Sequence, residues 1–147
     1  MSTTRLEVVT PERVLLTRDV HMIFVRTDGG ELGILPRHAP LAATIKDSVV
    51  KVRLEDGSED FISVGGGFLE VRPDQVILLA DTAELGANVD VERAQQAKAR
   101  AEKRLSQGQD MDVRRAELAL NRALHRLEAW ELSQKAGSPL KDTVQRQ

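Results

Sequence analysis

The spacing of apolar residues changes near residue 85, and this change divides the chain into two parts. Before it, short apolar runs lie between turn signals such as Asp56-Gly57, where glycine can adopt positive φ without steric cost. The unbroken apolar run from Val76 to Ala80 is expected of a strand buried on both faces. Turns this closely spaced predict a compact antiparallel sandwich or barrel over residues 1–86.

After residue 85 the apolar residues recur every three or four positions, which is the period of one face of a helix. Asn88 and Asp90 can each cap the start of a first helix, because their side-chain oxygens accept free backbone N–H groups. A break at residues 106–110 separates it from a second helix with the same period. Two helices joined by a short break predict an antiparallel helical hairpin over residues 87–134.

The apolar stripe of this hairpin is thin, because the first helix presents mainly alanine, as at Ala94, Ala97 and Ala101. Burial contributes about 25 cal/mol per Å² of apolar surface, so alanines contribute little. We therefore predict that the hairpin is weakly stable alone, and that it docks on another surface or changes conformation. Residues 135–147 are mostly polar and are predicted to form a frayed tail.

Composition excludes several classes of function. A net charge of −2 gives no global attraction to nucleic acid or anionic lipid, and 3% aromatic residues leave few platforms on which bases could stack. The chain has no cysteine, and no apolar run approaches the roughly 20 residues of a membrane-spanning helix. We therefore expect no nucleic-acid partner, and membrane association only through another protein.

Sequence motifs of enzyme active sites are missing. The chain has no G-x-S-x-G, no H-E-x-x-H and no phosphate-binding loop of the form G-x-x-x-x-G-K. Its three histidines stand in unrelated contexts, so no metal site is expected. A strand-like run follows Gly65-Gly66-Gly67, so these glycines predict a bulge or a close approach of two backbones rather than a phosphate cradle. We predict that the chain is not an enzyme.

The arginines of the hairpin carry the candidate chemistry. A surface arginine on a helix commonly has an acid three or four residues away, as Arg93 has Asp90 and Arg114 has Glu117. Three arginines have no acid at that spacing: Arg100, Arg122 and Arg126. If the hairpin turns near Gly108, its two arms bring Arg93 beside the arginines of the second helix.

Guanidinium groups that cluster without acids repel one another, and a bound polyanion would relieve that repulsion. Their planar forks also match pairs of phosphate oxygens. The pattern by itself leaves two interpretations open. The arginines form a phosphate-binding site, or they are solvated or form ion pairs with a partner protein.

Two stretches carry a family resemblance. Residues 27–41 read TDGGELGILPRHAPL, and residues 113–127 read VRRAELALNRALHRL. The first looks like the signature segment G-x-x-G-I-L-P-x-H-A-P-L of the epsilon subunits of bacterial F-type ATP synthases. The second resembles the second C-terminal helix of the Bacillus-like, ATP-binding members. The likeness extends over roughly residues 4–132.

That resemblance implies an α+β fold, with a ten-stranded β-sandwich followed by a two-helix hairpin. It implies a non-catalytic rotor subunit in the central stalk of a proton-translocating ATP synthase, peripheral to the cytoplasmic face of the bacterial membrane. The family's sandwich binds the gamma subunit and the c-ring, and Glu31 and His38 would belong to this interface. Its hairpin folds on the sandwich or extends into the alpha/beta head, where it inhibits ATP hydrolysis.

In some bacterial members the folded hairpin binds ATP through a motif I/L-D-x-x-R-A, which residues 89–94 match with valine at the first position. The resemblance thus implies ATP as a regulatory ligand, with no cofactor required. Asp90 would orient Arg93 or contact the nucleotide, and Ala94 would leave room for adenine. The implied ATP site comprises Glu84, Val89, Asp90, Arg93, Ala94, Arg100, Arg122 and Arg126. The alternative is a stand-alone nucleotide-sensing protein.

Overall fold

A computed structural model describes residues 2–108 and 113–141 of the 147-residue chain. Part of the expected break, at 109–110, and the tail residues 142–147 lie outside the described residues. The strands are β1 (Thr4–Val9), β2 (Val14–Val20), β3 (Met22–Thr27), β4 (Gly30–Ile34), β5 (Leu41–Ile45), β6 (Ser48–Arg53), β7 (Glu59–Val71) and β8 (Gln75–Leu85). A 3₁₀ turn (Gly86–Asn88) then leads into helices α1 (Val91–Gln107) and α2 (Val113–Ala136).

The strands form a β-sandwich in which neighbours run in the order β2-β1-β8-β7-β5-β3-β4, while β6 pairs with β3 and β7. The predicted antiparallel sandwich is confirmed, with one exception. Strands β1 and β8 are parallel. They can be parallel because the whole of the intervening sheet connects them, so no tight hairpin fixes their relative direction.

In the part of the chain that the structure describes, the sandwich has eight strands rather than the ten that the resemblance implies. Strand β7 is 13 residues long and pairs with β6 through its first half and with β5 through its second half. In its middle, Gly66 and Gly67 adopt φ of 69° and 131°. Strand β7 and the 11-residue β8 nevertheless stay paired on both sides of these glycines, so each counts as one long strand.

The predicted close approach of backbones at the triple glycine is confirmed. A Cβ atom on Gly67 would overlap the backbone carbonyl of Leu79, and one on Gly65 would overlap the side chain of Thr82. Both partners lie on β8, the strand paired with β7. The glycines therefore let β7 and β8 lie close together along this stretch.

The core of the sandwich consists of large branched side chains, among them Leu6, Ile23 and Leu78. The prediction that the run from Val76 to Ala80 is buried on both faces is wrong, because Leu79 is 47% exposed. Strand β8 has one face on the core and the other on the outer surface, where Leu79 pairs across the strands with Phe68.

Helix α2 packs against β7, β6 and the 3₁₀ turn, and α1 packs against α2. The buried residues of the two helices are almost all alanine: Ala94 and Ala101 in α1, and Ala116, Ala123 and Ala129 in α2. The predicted two-helix hairpin and its thin apolar stripe are confirmed. Asp90 caps α1 by accepting the backbone N–H of Arg93 at 3.1 Å, as predicted, and Gly108 ends it in a left-handed conformation.

The structure differs from the predicted polar tail over residues 135–141. Helix α2 continues to Ala136, and Gly137 and Ser138 adopt positive φ, which turns the chain back. Leu140 is fully buried and belongs to the core of the sandwich. A single leucine among polar residues gives no periodic signal, so the sequence pattern does not reveal this return.

Candidate functional site

A cavity of about 350 Å³ lies between the sandwich and α2. Small-molecule sites commonly span about 300–1,000 Å³, so this volume can hold part of a nucleotide. The sandwich lines it with Asp47, Ser63, Thr82 and Glu84, and α2 lines it with Arg122, His125 and Arg126.

An ion pair crosses the cavity from β8 to α2. Nε of Arg126 donates to Oε1 of Glu84, and both side chains are about two-thirds buried. Glu84 lies near the end of β8, and Ser63 is its neighbour on β7. The sequence pattern left Arg126 without an acid because only positions along the helix were compared. The tertiary structure provides one 42 residues away.

Two further side chains on α2, Arg122 and His125, line the cavity beside this pair. Arg122 lines the same cavity one turn earlier on α2, and within residues 2–108 and 113–141 it has no ion pair. His125 stands between Arg122 and Arg126 in the sequence, and its side chain is half-buried. The Nη atoms of Arg126 are not used by the Glu84 contact, which involves Nε. The α2 wall can therefore donate several hydrogen bonds to an anion.

The structure does not bring the other predicted ATP-site residues into this cavity. Arg93 and Arg100 are exposed on α1 and do not line it. Asp90 is used in the helix cap. Val89 is only 6% exposed, and Ala94 is fully buried, so Ala94 leaves no open space for adenine in this conformation.

Expected local ion pairs of the hairpin are also absent from the part of the chain that the structure describes. No ion pair joins Arg114 to Glu117, or the guanidinium of Arg93 to Asp90, among those residues. Exposed pairs of this kind contribute only about 0.3–0.5 kcal/mol, so solvation competes with them. Local acids therefore do not distinguish the arginines of this hairpin, whereas position relative to the cavity does.

Sequence reasoning missed four polar residues that line the cavity: Asp47, Ser63, Thr82 and His125. His125 had a usable signal, because it follows Arg122 by three positions and so shares its helix face. The other three come from the sandwich and reach the cavity only through the packing of α2 on β7 and β6.

A second surface lies on the outer face of the sandwich. Phe68 is 64% exposed and Leu79 is 47% exposed, and they line a groove of about 500 Å³ with Pro40 and Leu41. Pro40 and Leu41 end the signature segment at residues 27–41. That segment therefore leads directly into an exposed apolar groove.

The two predicted interface residues lie earlier in that segment. Glu31 is exposed on β4, and its Oε1 lies 3.1 Å from an Nη atom of Arg26. His38 is half-buried in the loop after β4, with Nδ1 2.7 Å from the carbonyl oxygen of Ala39. Neither side chain lines the apolar groove.

Helices long and apolar enough to cross a bilayer are not found among the described residues. Over the same residues, no group of three or more His, Cys, Asp or Glu side chains could hold a metal ion.

Two family models match consecutive parts of the chain and together reach from residue 3 to residue 131. The beta-sandwich domain of the ATP synthase Delta/Epsilon chain matches residues 3–86, and its long alpha-helix domain matches residues 88–131. The ATP synthase epsilon chain of Halalkalibacterium halodurans is 53% identical over 131 residues, covering 87% of this chain and 97% of the relative. That of Exiguobacterium sp. is 43% identical over 136 residues, covering 91% and 100%.

A solved structure shares the fold. It is that of the Euglena gracilis mitochondrial ATP synthase, OSCP/F1/c-ring, in which one chain matches with a TM-score of 0.74 and 24% identity. The match covers 88% of this chain and 81% of that chain. At this identity the likeness concerns the fold alone.

Proposed function

This chain belongs to the ATP synthase Delta/Epsilon family, as an epsilon chain of the bacterial F type, and on that premise we propose that its hairpin binds ATP when α2 lies on the sandwich. Epsilon chains are non-catalytic subunits, in agreement with the prediction that this chain is not an enzyme. We further propose that it is part of the central stalk and inhibits ATP hydrolysis when the hairpin extends.

The arrangement of Glu84, Arg122 and Arg126 around the cavity is the observation that carries this proposal. Glu84 fixes the guanidinium of Arg126 through Nε, so the Nη atoms are oriented before a ligand arrives. Phosphate oxygens would accept hydrogen bonds from these Nη atoms and from Arg122. Charge-assisted bonds of this kind contribute about 1.5–3 kcal/mol each.

Ligand binding at this site is coupled to the position of the hairpin, because the cavity has one wall on the sandwich and the other on α2. A nucleotide that needs both walls binds only the folded hairpin. At a concentration of 100 times its Kd, it would stabilise that state by about 2.7 kcal/mol. Falling ATP would therefore release the hairpin toward the extended, inhibitory state.

The exposed arginines of α1 fit this proposal as contacts at the outer end of the nucleotide. Arg93 and Arg100 have no ion pair within the described residues, and their long side chains are free to reorient. Adenine beside Ala94 would require α1 to move away from α2, since Ala94 is fully buried. Arg122 and Arg126 should consequently contribute more to affinity than Arg93.

Calorimetry on the purified full chain tests the site. We expect Arg122→Ala to weaken ATP binding about tenfold or more, the equivalent of about 1.4 kcal/mol. Arg114→Ala is the matched control, because Arg114 is also exposed on α2 but does not line the cavity. In the assembled ATP synthase, the Arg122→Ala variant should hydrolyse ATP more slowly. With weaker ATP binding, a larger fraction of the hairpin is in the extended, inhibitory state.

Two results would contradict this proposal. One is the absence of any heat with millimolar ATP. The other is an equal loss of affinity in the Arg114→Ala and Arg122→Ala variants, which would leave these arginines as solvated charges or partner contacts.

We also propose that the sandwich binds the gamma subunit through its outer apolar groove, with Glu31 and His38 extending the contact toward the c-ring. Exposed apolar patches on a soluble domain mark interaction surfaces. Peripheral attachment to the cytoplasmic face of the membrane would follow from these contacts, because the ring is embedded there. The alpha/beta head would be contacted only by the extended hairpin.

Co-purification with gamma tests the groove. Phe68→Glu places a charge on the exposed apolar surface, and we expect it to reduce recovery of gamma at least tenfold. Leu118→Glu is the control, because Leu118 is similarly exposed at 43% but lies on α2. A wild-type chain that binds ATP yet recovers no gamma would instead be a stand-alone nucleotide sensor.

A further inference from the structure

A buried acidic side chain, Asp60, lies outside the proposed ATP site. It is on β7 and only 1% exposed, and no ion pair reaches it within the described residues. A carboxyl group buried without a cation is costly unless hydrogen-bond donors surround it. The groups that donate hydrogen bonds to Asp60 therefore indicate its structural role.

Three donors reach Asp60 among the described residues, and two of them lie at or beyond the C-terminal end of α2. The hydroxyl of Ser133 donates to Oδ1 at 2.6 Å, and the backbone N–H of Leu140 donates to Oδ2 at 2.9 Å. The third is the N–H of the adjacent Phe61, at 2.8 Å. Asp60 thus joins the sandwich to residues 73 and 80 positions later in the chain.

The turn after α2 is built to reach this carboxyl group. The backbone N–H and the hydroxyl of Ser138 both donate to the carbonyl of Ser133, at 2.9 and 3.1 Å. The two serine hydroxyls also lie 2.9 Å apart. This turn delivers Leu140 to the sandwich core, where it is completely buried.

A tight contact lies next to the turn. A Cβ atom on Gly86 would overlap the carbonyl oxygen of Ala129 and the Cβ of Ser133. Helix α2 therefore rests directly on backbone at its C-terminal end. All of these contacts need α2 on the sandwich, and none of them involves the cavity.

We propose that Asp60 and residues 133–140 form a C-terminal latch that holds the hairpin on the sandwich without nucleotide. Ser133, Ser138 and Leu140 all lie beyond residue 131, where the family match ends. The hairpin cannot extend until the latch opens. Only this effect on the extended state rests on the proposed function, because the latch itself requires no ATP.

Hydrogen exchange of the nucleotide-free full chain tests the latch directly. We expect a chain that ends at residue 137 to exchange the amides of α2 about tenfold faster or more, because it lacks Ser138 and Leu140 but keeps the whole helix. A chain that ends at residue 141 is the matched control and should exchange like the full chain. In all three, the amides of β3 should change less than those of α2, although the chain ending at 137 also loses Leu140 from the core.

A second pair of variants separates the hydrogen bond from the buried leucine. Ser133→Ala removes a donor to Asp60 and should speed exchange in α2 several-fold. Ser106→Ala is its control, because the Ser106 hydroxyl bonds the carbonyl of Lys103 within α1. If the chain ending at 137 and the Ser133→Ala variant both protect α2 like the full chain, the latch is wrong.

The latch and the ATP site can fail separately. The latch predicts slow exchange of α2 without ATP, whether or not Arg122→Ala abolishes ATP binding. If both hold, latch variants should bind ATP with an apparent Kd raised in proportion to the loss of folded hairpin. Rapid exchange of α2 in the nucleotide-free wild type, slowed only by ATP, would overturn the latch and leave the ATP site standing.

Discussion

The sandwich and the hairpin are held together by different kinds of contact. Large branched residues such as Leu6, Ile23 and Leu78 fill the sandwich, and each stabilises it by about 1.5–3 kcal/mol when fully buried. The interface between α1 and α2 is made of alanines, which bury far less apolar area. The sandwich is thus stable through its own core, whereas the hairpin depends on its contacts with the sandwich.

That difference shows how a subunit can move one part without unfolding the other. Besides its packing on β7, β6 and the 3₁₀ turn, α2 is held on the sandwich by specific contacts: the Glu84–Arg126 ion pair, the contact at Gly86 and the hydrogen bonds to Asp60. Each can break without disturbing the packing of the core, except that Leu140 would leave it. A hairpin held by such contacts can switch reversibly between a docked and an undocked position.

The largest loss of stability should follow from truncating a buried side chain in the core of the sandwich. Leu78→Ala removes a side chain that is 1% exposed, and we expect the free energy of unfolding to fall by about 2–5 kcal/mol. Urea unfolding followed by circular dichroism measures it. Leu124→Ala, at a 40% exposed leucine of α2, should cost less than about 1 kcal/mol. If both variants lost the same free energy of unfolding, the sandwich and the hairpin would not differ in how burial stabilises them.

A smaller effect, confined to the hairpin, is expected at Gly86. Gly86→Ala introduces a Cβ that overlaps the backbone of α2, and we expect it to weaken docking by about 1–3 kcal/mol. Hydrogen exchange should then quicken in α2 but not in β3. Gly29→Ala is the control, because the nearest atom to its new Cβ is 3.8 Å away. Faster exchange throughout the sandwich would show that the two regions are not separable.

The smallest effect should come from the cap of α1. Asp90→Ala removes the acceptor for the Arg93 N–H, and we expect it to destabilise that helix by about 1 kcal/mol. Amide exchange in the first turn of α1 reports this change, and the midpoint of sandwich unfolding should not shift. Protection of that turn as in the wild type would mean that α2, rather than the cap, holds α1 in place.

Much of the fold can be predicted from local patterns. The change of period near residue 85, the turn glycines and the capping residue Asp90 locate the sandwich, the hairpin and the start of α1. The exposure of Leu79 could not be predicted, because an apolar run is identical in sequence whether one face or both faces are covered. The same holds for the parallel pairing of β1 and β8, which no turn specifies.

The candidate site likewise has a part that the sequence predicts and a part that only the tertiary structure shows. Arg122 and Arg126 stand out in the sequence because they lack nearby acids on their helix, and the structure places both at one cavity. The partner of Arg126 is 42 residues away, and the donors to Asp60 are 73 and 80 residues away. The sequence by itself determined the elements, the thin stripe and the family, since these depend on local spacing and on motifs. Only the tertiary structure decided which charges meet and where the chain end docks, because contacts between distant residues leave no periodic trace in the sequence.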